Sequence, residues 1–149
     1  MPTIVAKNIT HSKDRIFKKM KIVVCCSLID IDGRILLAKR PYNAQMGGLW
    51  EFPGGKIEPN ETPETALVRE LKEELGIDTH ESCLAPLSFS SHQYSEFQIL
   101  LLLYICRKWK GSARAISASE LKWVFAKDLR GYPMPEANKE FISHLQDLL

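Results

Sequence analysis

No stretch of this 149-residue chain is long and apolar enough to span a bilayer. The most apolar run, Ile99 to Cys106, has only the length of a strand. No secretory signal is visible, because the apolar run Ile22 to Leu28 is short and lies well inside the chain, so none is expected. Cysteine is sparse, and Cys25, Cys26, Cys83 and Cys106 form no C-x-x-C pair and accompany no histidine cluster. Zinc and a disulfide framework are therefore not expected, and buried, reduced thiols are. Internal repeats and low-complexity segments are absent too. What remains is 45% hydrophobic and 26% charged residues, a globular composition of a length that suits one domain with a sizeable core. The expectation is a soluble, cytoplasmic protein.

The net charge of +2 hides an asymmetry. Lys7, Lys13, Arg15, Lys18, Lys19 and Lys21 gather at the start against Asp14 alone, so the remainder is acidic. A basic tail of this kind could touch nucleic acid or an anionic surface. The preferred reading is a loosely ordered leader over residues 1–19, with the domain over residues 20–149.

Lys21 to Asp30 reads as a buried strand, in which Cys25 and Cys26 should point to opposite faces. Asp32-Gly33 marks a tight turn, and Arg34 to Lys39 the returning strand. Arg40 to Gly48 is a loop, Leu49 to Phe52 a short extended piece, and Pro53-Gly54-Gly55 a turn that ends it. Thr62 can cap a helix whose first position suits Pro63, Leu67, Leu71 and Leu75 form its apolar stripe, and Gly76 stops it. Ser82 to Ser90, Glu96 to Lys108 and Glu120 to Ala126 read as strands, and Glu136 to Leu149 as a terminal amphipathic helix. The order suggests α/β architecture with a mixed sheet flanked by helices.

The stretch from Gly47 to Ile77 carries Glu51, Glu58, Glu61, Glu64, Glu70, Glu73 and Glu74. On the helix, Glu70, Glu73 and Glu74 stand at i, i+3 and i+4, on one face, where like charges repel. Converging carboxylates suit a hard divalent cation with oxygen ligands, and Mg²⁺ commonly shares its shell with substrate phosphates. A solvated acidic face, paired locally by Arg69 and Lys72, is the competing reading.

The whole pattern decides between them. Gly55, Glu61, Arg69, Glu70, Leu71, Glu73, Glu74, Gly76 and Ile77 fill G-x5-E-x7-R-E-U-x-E-E-x-G-U, with U a bulky apolar residue, without a departure. This is the Nudix box, and the chain resembles a Nudix hydrolase. The resemblance implies an α/β/α sandwich and cleavage of a nucleoside diphosphate linkage with Mg²⁺ or Mn²⁺. It is closer to the MutT-like branch, the 8-oxo-dGTP diphosphatases. Leu36 to Arg40, Leu49 to Lys56, Trp123 and Pro135-Glu136-Ala137-Asn138 carry that closer likeness.

By this resemblance Glu73 and Glu74 are the principal metal ligands, together with the Gly54 carbonyl. Glu70 is either another ligand or the base that activates water. Glu61 is a secondary ligand or supports the helix start, and Arg69 orients the acidic face. Arg40 would hold phosphates, or else be a solvent-facing arginine at a strand end. Phe52 would flank the base or belong to the core. Asn138 would read the base or cap the last helix. In 8-oxoguanine N7 carries a proton, so the edge that shows two acceptors in guanine shows a donor beside an acceptor. An asparagine amide complements that edge. Glu51, Glu58 and Glu64 read as ordinary surface or loop charges.

One position departs from the likeness. Many MutT-like relatives carry a glutamate six residues before the tryptophan of the late strand, and Ser117 stands there before Trp123. The implied partner is a nucleoside triphosphate, with 8-oxo-dGTP first and CTP or dCTP as the alternative. A silent nucleotide-binding domain is disfavoured because every box glutamate is present. A monomer is expected, without membrane attachment or stable nucleic-acid binding.

Overall fold

The structure, a computed structural model, describes residues 19–149. The leader expected over residues 1–19 lies, apart from Lys19, outside the described residues. Strand β1 (Met20–Leu28) alternates between two core clusters. Val24, Cys26 and Leu28 join one cluster and Cys25 the other, so the vicinal cysteines do face opposite ways. All four cysteines are free thiols. A tight turn with Gly33 at φ +81° leads into β2 (Arg34–Lys39). There the Asp30 carboxylate accepts from the Asp32 and Arg34 backbone N–H groups. The chain continues through β3 (Trp50–Glu51) and β4 (Gly54–Lys56) into helix α1 (Pro63–Leu75). A 3₁₀ turn at Glu81–Cys83 precedes β5 (Leu84–Gln93), β6 (Gln98–Cys106) and β7 (Glu120–Phe125). A second 3₁₀ segment, Ala126–Gly131, leads to α2 (Glu136–Lys139) and α3 (Phe141–Leu148).

The strands form two sheets. A mixed sheet has the order β4-β1-β6-β5, with β1 parallel to β6 and its other pairings antiparallel. The second, β3-β2-β7, is antiparallel throughout. A parallel pair needs a long crossover, and the chain between β1 and β6 supplies one that contains α1. The Leu67-Leu71-Leu75 stripe of α1 covers one face of β1 and β6, against Val24, Cys26 and Tyr104. Phe141, Ile142 and Leu145 of α3 cover the other, against Cys25, Leu101 and Leu103. The result is the expected sandwich, with a second sheet added. Among the described residues, no helix is long and apolar enough to cross a membrane.

Three local expectations are corrected. Gly54 and Gly55 form no turn; they lie in β4, paired with Cys25 and Val24. Glycine is a poor strand former in general, but a Cβ on Gly54 would fall 2.0 Å from the Val24 carbonyl oxygen. The terminal helix is two short helices that meet at Glu140. The strand expected from Glu96 starts at Gln98, because the Tyr94 N–H donates to the Phe97 carbonyl at 2.8 Å and closes a hairpin turn there.

Candidate active site

Helix α1 is held in one rotation by its ends and its stripe. The Thr62 hydroxyl accepts from the Thr65 N–H at 3.1 Å, and Gly76 closes the C-terminus in the left-handed conformation at φ 71°. With Leu67, Leu71 and Leu75 buried, helical spacing turns Glu70 and Glu74 toward β4. The Glu74 carboxylate accepts from the Gly54 N–H at 3.2 Å. The Cys26 N–H donates to the neighbouring Pro53 carbonyl at 2.8 Å, so Gly54 falls at the alternate position of the ladder. Its carbonyl therefore faces away from β1, on the side of its N–H. At Gly55 a Cβ would meet the Glu70 carboxyl at 2.3 to 2.6 Å, so the missing side chain makes room for that carboxylate.

Arg69 gathers the other acids. Its Nε and Nη2 donate to the two Glu61 oxygens, each at 2.8 Å, in the fork geometry that suits a guanidinium. Its Nη1 donates to Glu70 at 2.9 Å and to Glu73 at 3.2 Å, and Nη2 also reaches the Lys56 carbonyl at 3.1 Å. This contact drives Glu61 down to about 2. Glu74 behaves oppositely. Burial, and then the charges of Glu70 and Glu51, push its carboxyl up to about 8. Glu70 and Glu51 are also raised, mainly by burial.

The donor set fits a hard divalent cation. Glu70, Glu73, Glu74 and the Gly54 carbonyl offer only oxygen, and burial raises the carboxyls of Glu74 and Glu70, so a cation beside them would favour their charged forms. Among the described residues no group of three acids forms a ready-made cage. Glu61, Glu70 and Glu73 are instead held on Arg69, and Glu74 on Gly54.

Gly54, Glu70 and Glu74 line a cleft of about 520 Å³ that also contains Arg40, Phe52 and Asn138, whereas Glu61, Arg69 and Glu73 do not line it. Its floor follows the alternation of β1 and its parallel neighbour, with Cys25 beside Gly54 at one end and Lys21 beside Ile99 at the other. Asn138 is 7% exposed, and its Oδ1 accepts from the Phe52 N–H at 3.4 Å. The cap positions of α2 and of the last helix, α3, are Pro135 and Glu140, so Asn138 caps neither. The Phe52 ring is 2% exposed and meets Phe141 edge-on at 6.2 Å. That puts the ring in the core at the cleft floor and excludes a freely stacking role. Arg40 is not a free strand-end arginine, because it is paired with Glu51 across the strands.

Glu61, Glu70 and Glu73 thus come together on Arg69, while only Glu70 and Glu74 of the box acids share the cleft with Arg40, Phe52 and Asn138. Sequence reasoning misplaced two acids. Glu51 is half-buried at the cleft, and Glu64 accepts from the Tyr104 hydroxyl at 3.0 Å. It also missed Tyr94 and Phe97, whose rings lie 5.1 Å apart at the cleft end away from the acids. Their only signal was a pair of aromatics in a polar hairpin. Ser117 lines a smaller cavity bounded by Glu74, so its segment reaches the acidic end without adding a carboxylate.

The Arg69 contacts make a prediction. Arg69→Met should lower the melting temperature of the metal-free protein by roughly 5 °C, the effect of about 1–2 kcal/mol in a domain of this size, discounted because the contacts are partly solvated. Arg69→Lys should recover less than half, since an ammonium lacks the fork. Thermal denaturation in chelator checks this, and an unchanged midpoint for Arg69→Met would refute the bridging role.

A family profile described as the NUDIX domain matches residues 24–144. An 8-oxo-dGTP diphosphatase of Proteus vulgaris is 43% identical over 93 residues, covering 62% of this chain and 81% of that protein. A CTP pyrophosphohydrolase of Escherichia coli (strain K12) is 37% identical over 122 residues, covering 80% of this chain and 87% of the other. Among solved structures, a MutT NUDIX hydrolase from Burkholderia pseudomallei superposes with a TM-score of 0.76 at 27% identity, covering 85% of this chain and 98% of that one.

Proposed function

The chain belongs to the Nudix family, and from that membership we propose that it hydrolyses nucleoside triphosphates to the monophosphate and pyrophosphate, with 8-oxo-dGTP preferred and Mg²⁺ or Mn²⁺ as the metal. The observation that carries the reading is one cleft that holds Glu70 and Glu74 together with the buried Asn138. Acids that can hold a cation and an amide that can read a base then address one nucleotide.

Glu73, Glu74 and the Gly54 carbonyl are the residues that would hold the metal, with Glu61 supporting them through Arg69. A divalent metal supplies charge neutralisation on the phosphates and acidifies water. Glu70, half-buried and accepting from Arg69, would be either a further ligand or the group that takes the proton from the attacking water. Arg40 would donate to phosphate oxygens.

Asn138 gives the selectivity. Its Oδ1 uses one lone pair on Phe52 and keeps the second for a donor such as the protonated N7 of 8-oxoguanine, while its Nδ2 can donate to O6. Against ordinary guanine the carbonyl faces a lone pair instead, and one buried unsatisfied partner costs about 1–3 kcal/mol. The ratio of kcat/KM for 8-oxo-dGTP over dGTP should therefore be about ten- to hundredfold and should collapse in Asn138→Ala. Equal values in the wild type would overturn the assignment. The identity to a CTP pyrophosphohydrolase over most of the chain favours CTP or dCTP as the second reading. The same panel, with CTP and dCTP included, decides between them.

A further inference from the structure

We propose that Glu51 is a positioning residue for this reaction, holding the Arg40 guanidinium in place at the phosphate end of the cleft. The proposal rests on the pyrophosphohydrolase reading above and deepens it.

The placement follows from strand geometry. Glu51 lies directly opposite Ala38 in the β2–β3 ladder. Arg40 follows Ala38 by two residues, so its side chain leaves on the same face, and Glu51 is its diagonal neighbour. Both Glu51 oxygens accept from Arg40 Nη1, at 3.1 and 3.2 Å. On the other side of the guanidinium, Nε donates to the Gln45 carbonyl at 2.7 Å. Two protein groups therefore grip Arg40 on two edges. Its Nη2 edge has no hydrogen-bond partner among the described residues and is left to donate to an anion.

The pair stands in the wall between two spaces. Arg40, Glu51 and Glu74 border the main cleft and also a smaller cavity of about 280 Å³ that Ser117 lines from the far side. A triphosphate whose base lies toward Asn138 brings its charged end to this wall. An arginine loses rotamer freedom when it is fixed, and a grip that exists before binding removes part of that loss from the binding step. Gln45 joins the same grip from the loop between Arg40 and Gly48, so that loop is held to the arginine as well.

The test is a double-mutant cycle read by calorimetric binding of inorganic tripolyphosphate and by steady-state kinetics. Glu51→Ala should weaken tripolyphosphate binding and raise KM about tenfold, with kcat within about threefold of wild type. Glu51→Gln keeps the acceptor oxygen and should stay within about threefold on all three values. In an Arg40→Ala background, Glu51→Ala should add less than about twofold, because the partner it positions is gone. Glu51→Ser serves in the same comparisons if the alanine variant does not fold. Effects of Glu51 and Arg40 that multiply would overturn the proposal. So would a Glu51→Gln variant that binds normally but loses kcat about a hundredfold, since the carboxylate would then act directly. If the wild type hydrolyses no nucleoside triphosphate, the functional reading fails, while the binding cycle still decides whether Glu51 positions Arg40.

Discussion

Glu74→Gln is expected to lower kcat about a thousandfold and, in the same variant, to make the metal-free protein more stable at high pH. The two effects have one cause. Glu74 is half-buried, faces Glu70 and Glu51, and has a carboxyl pushed from the usual 4.5 up to about 8. In the unfolded chain it ionises near its usual value, so folding without a cation is opposed by the charge that must be buried. For a raised acid, stability is full below the unfolded value and is lost as pH rises through the folded one. The metal-free wild type should therefore lose stability between about pH 4.5 and pH 8, by up to about 3–5 kcal/mol. Glutamine removes that loss and keeps an oxygen to accept from Gly54. The proton that Glu74 carries at neutral pH must leave when a cation binds, so apparent Mg²⁺ affinity should climb about tenfold per pH unit until near pH 8. Denaturation midpoints at pH 6 and pH 9 in chelator, with kcat at saturating Mg²⁺, test both arms. A Glu74→Gln variant that is fully active, or one that is no more stable at pH 9, would remove Glu74 from the centre of the site.

The second large effect separates two adjacent glycines. Gly54→Ala should prevent stable folding or cost more than about 3 kcal/mol, whereas Gly55→Ala should fold and lose most of its activity. An added Cβ at Gly54 meets strand backbone, 2.0 Å from the Val24 oxygen and 2.6 Å from the Cys25 Cα, and neither atom can move without parting β1 from β4. At Gly55 the obstruction is the end of the Glu70 side chain, which can swing aside. Swinging aside takes Glu70 from its contact with Arg69, and a displacement of about 1 Å at a catalytic group is enough to lose about a hundredfold in rate. Circular dichroism and thermal melts report the first outcome, and kcat with an unchanged melting temperature reports the second. Equal losses of stability in the two variants would mean that the cradle around Glu70 has been misread.

Much of this arrangement was legible before any coordinates. The Leu67-Leu71-Leu75 stripe, Thr62, Pro63 and Gly76 defined α1 because each acts over one helical turn or less, and local geometry is enough to interpret them. Alternation along β1 foretold the opposed cysteines for the same reason. Gly54 and Gly55 were misread because local propensity assigns paired glycines to turns. Their strand conformation answers to Val24 and to Glu70, neither of which is near in sequence. Glu51 was misread as a surface charge because strand alternation with the apolar Trp50 and Phe52 turns it to the opposite face, where a charge is expected to meet solvent. Its partner Arg40 lies eleven positions away, across a ladder.

The sequence by itself determined the reaction class, since the box residues fall within one segment whose spacing survives any arrangement of the rest. It also placed Ser117 where many MutT-like relatives carry an acid. Tertiary structure alone decided that Asn138 faces the same cleft as Glu70 and Glu74, that Phe52 belongs to the core, and that Arg40 is gripped by Glu51 and Gln45. The physical reason is range. Helix periodicity, caps and the box act through neighbouring turns, whereas a cleft is made by strands and helices far apart in the chain, whose meeting is set by how the two sheets and the two helical layers bury their apolar faces together.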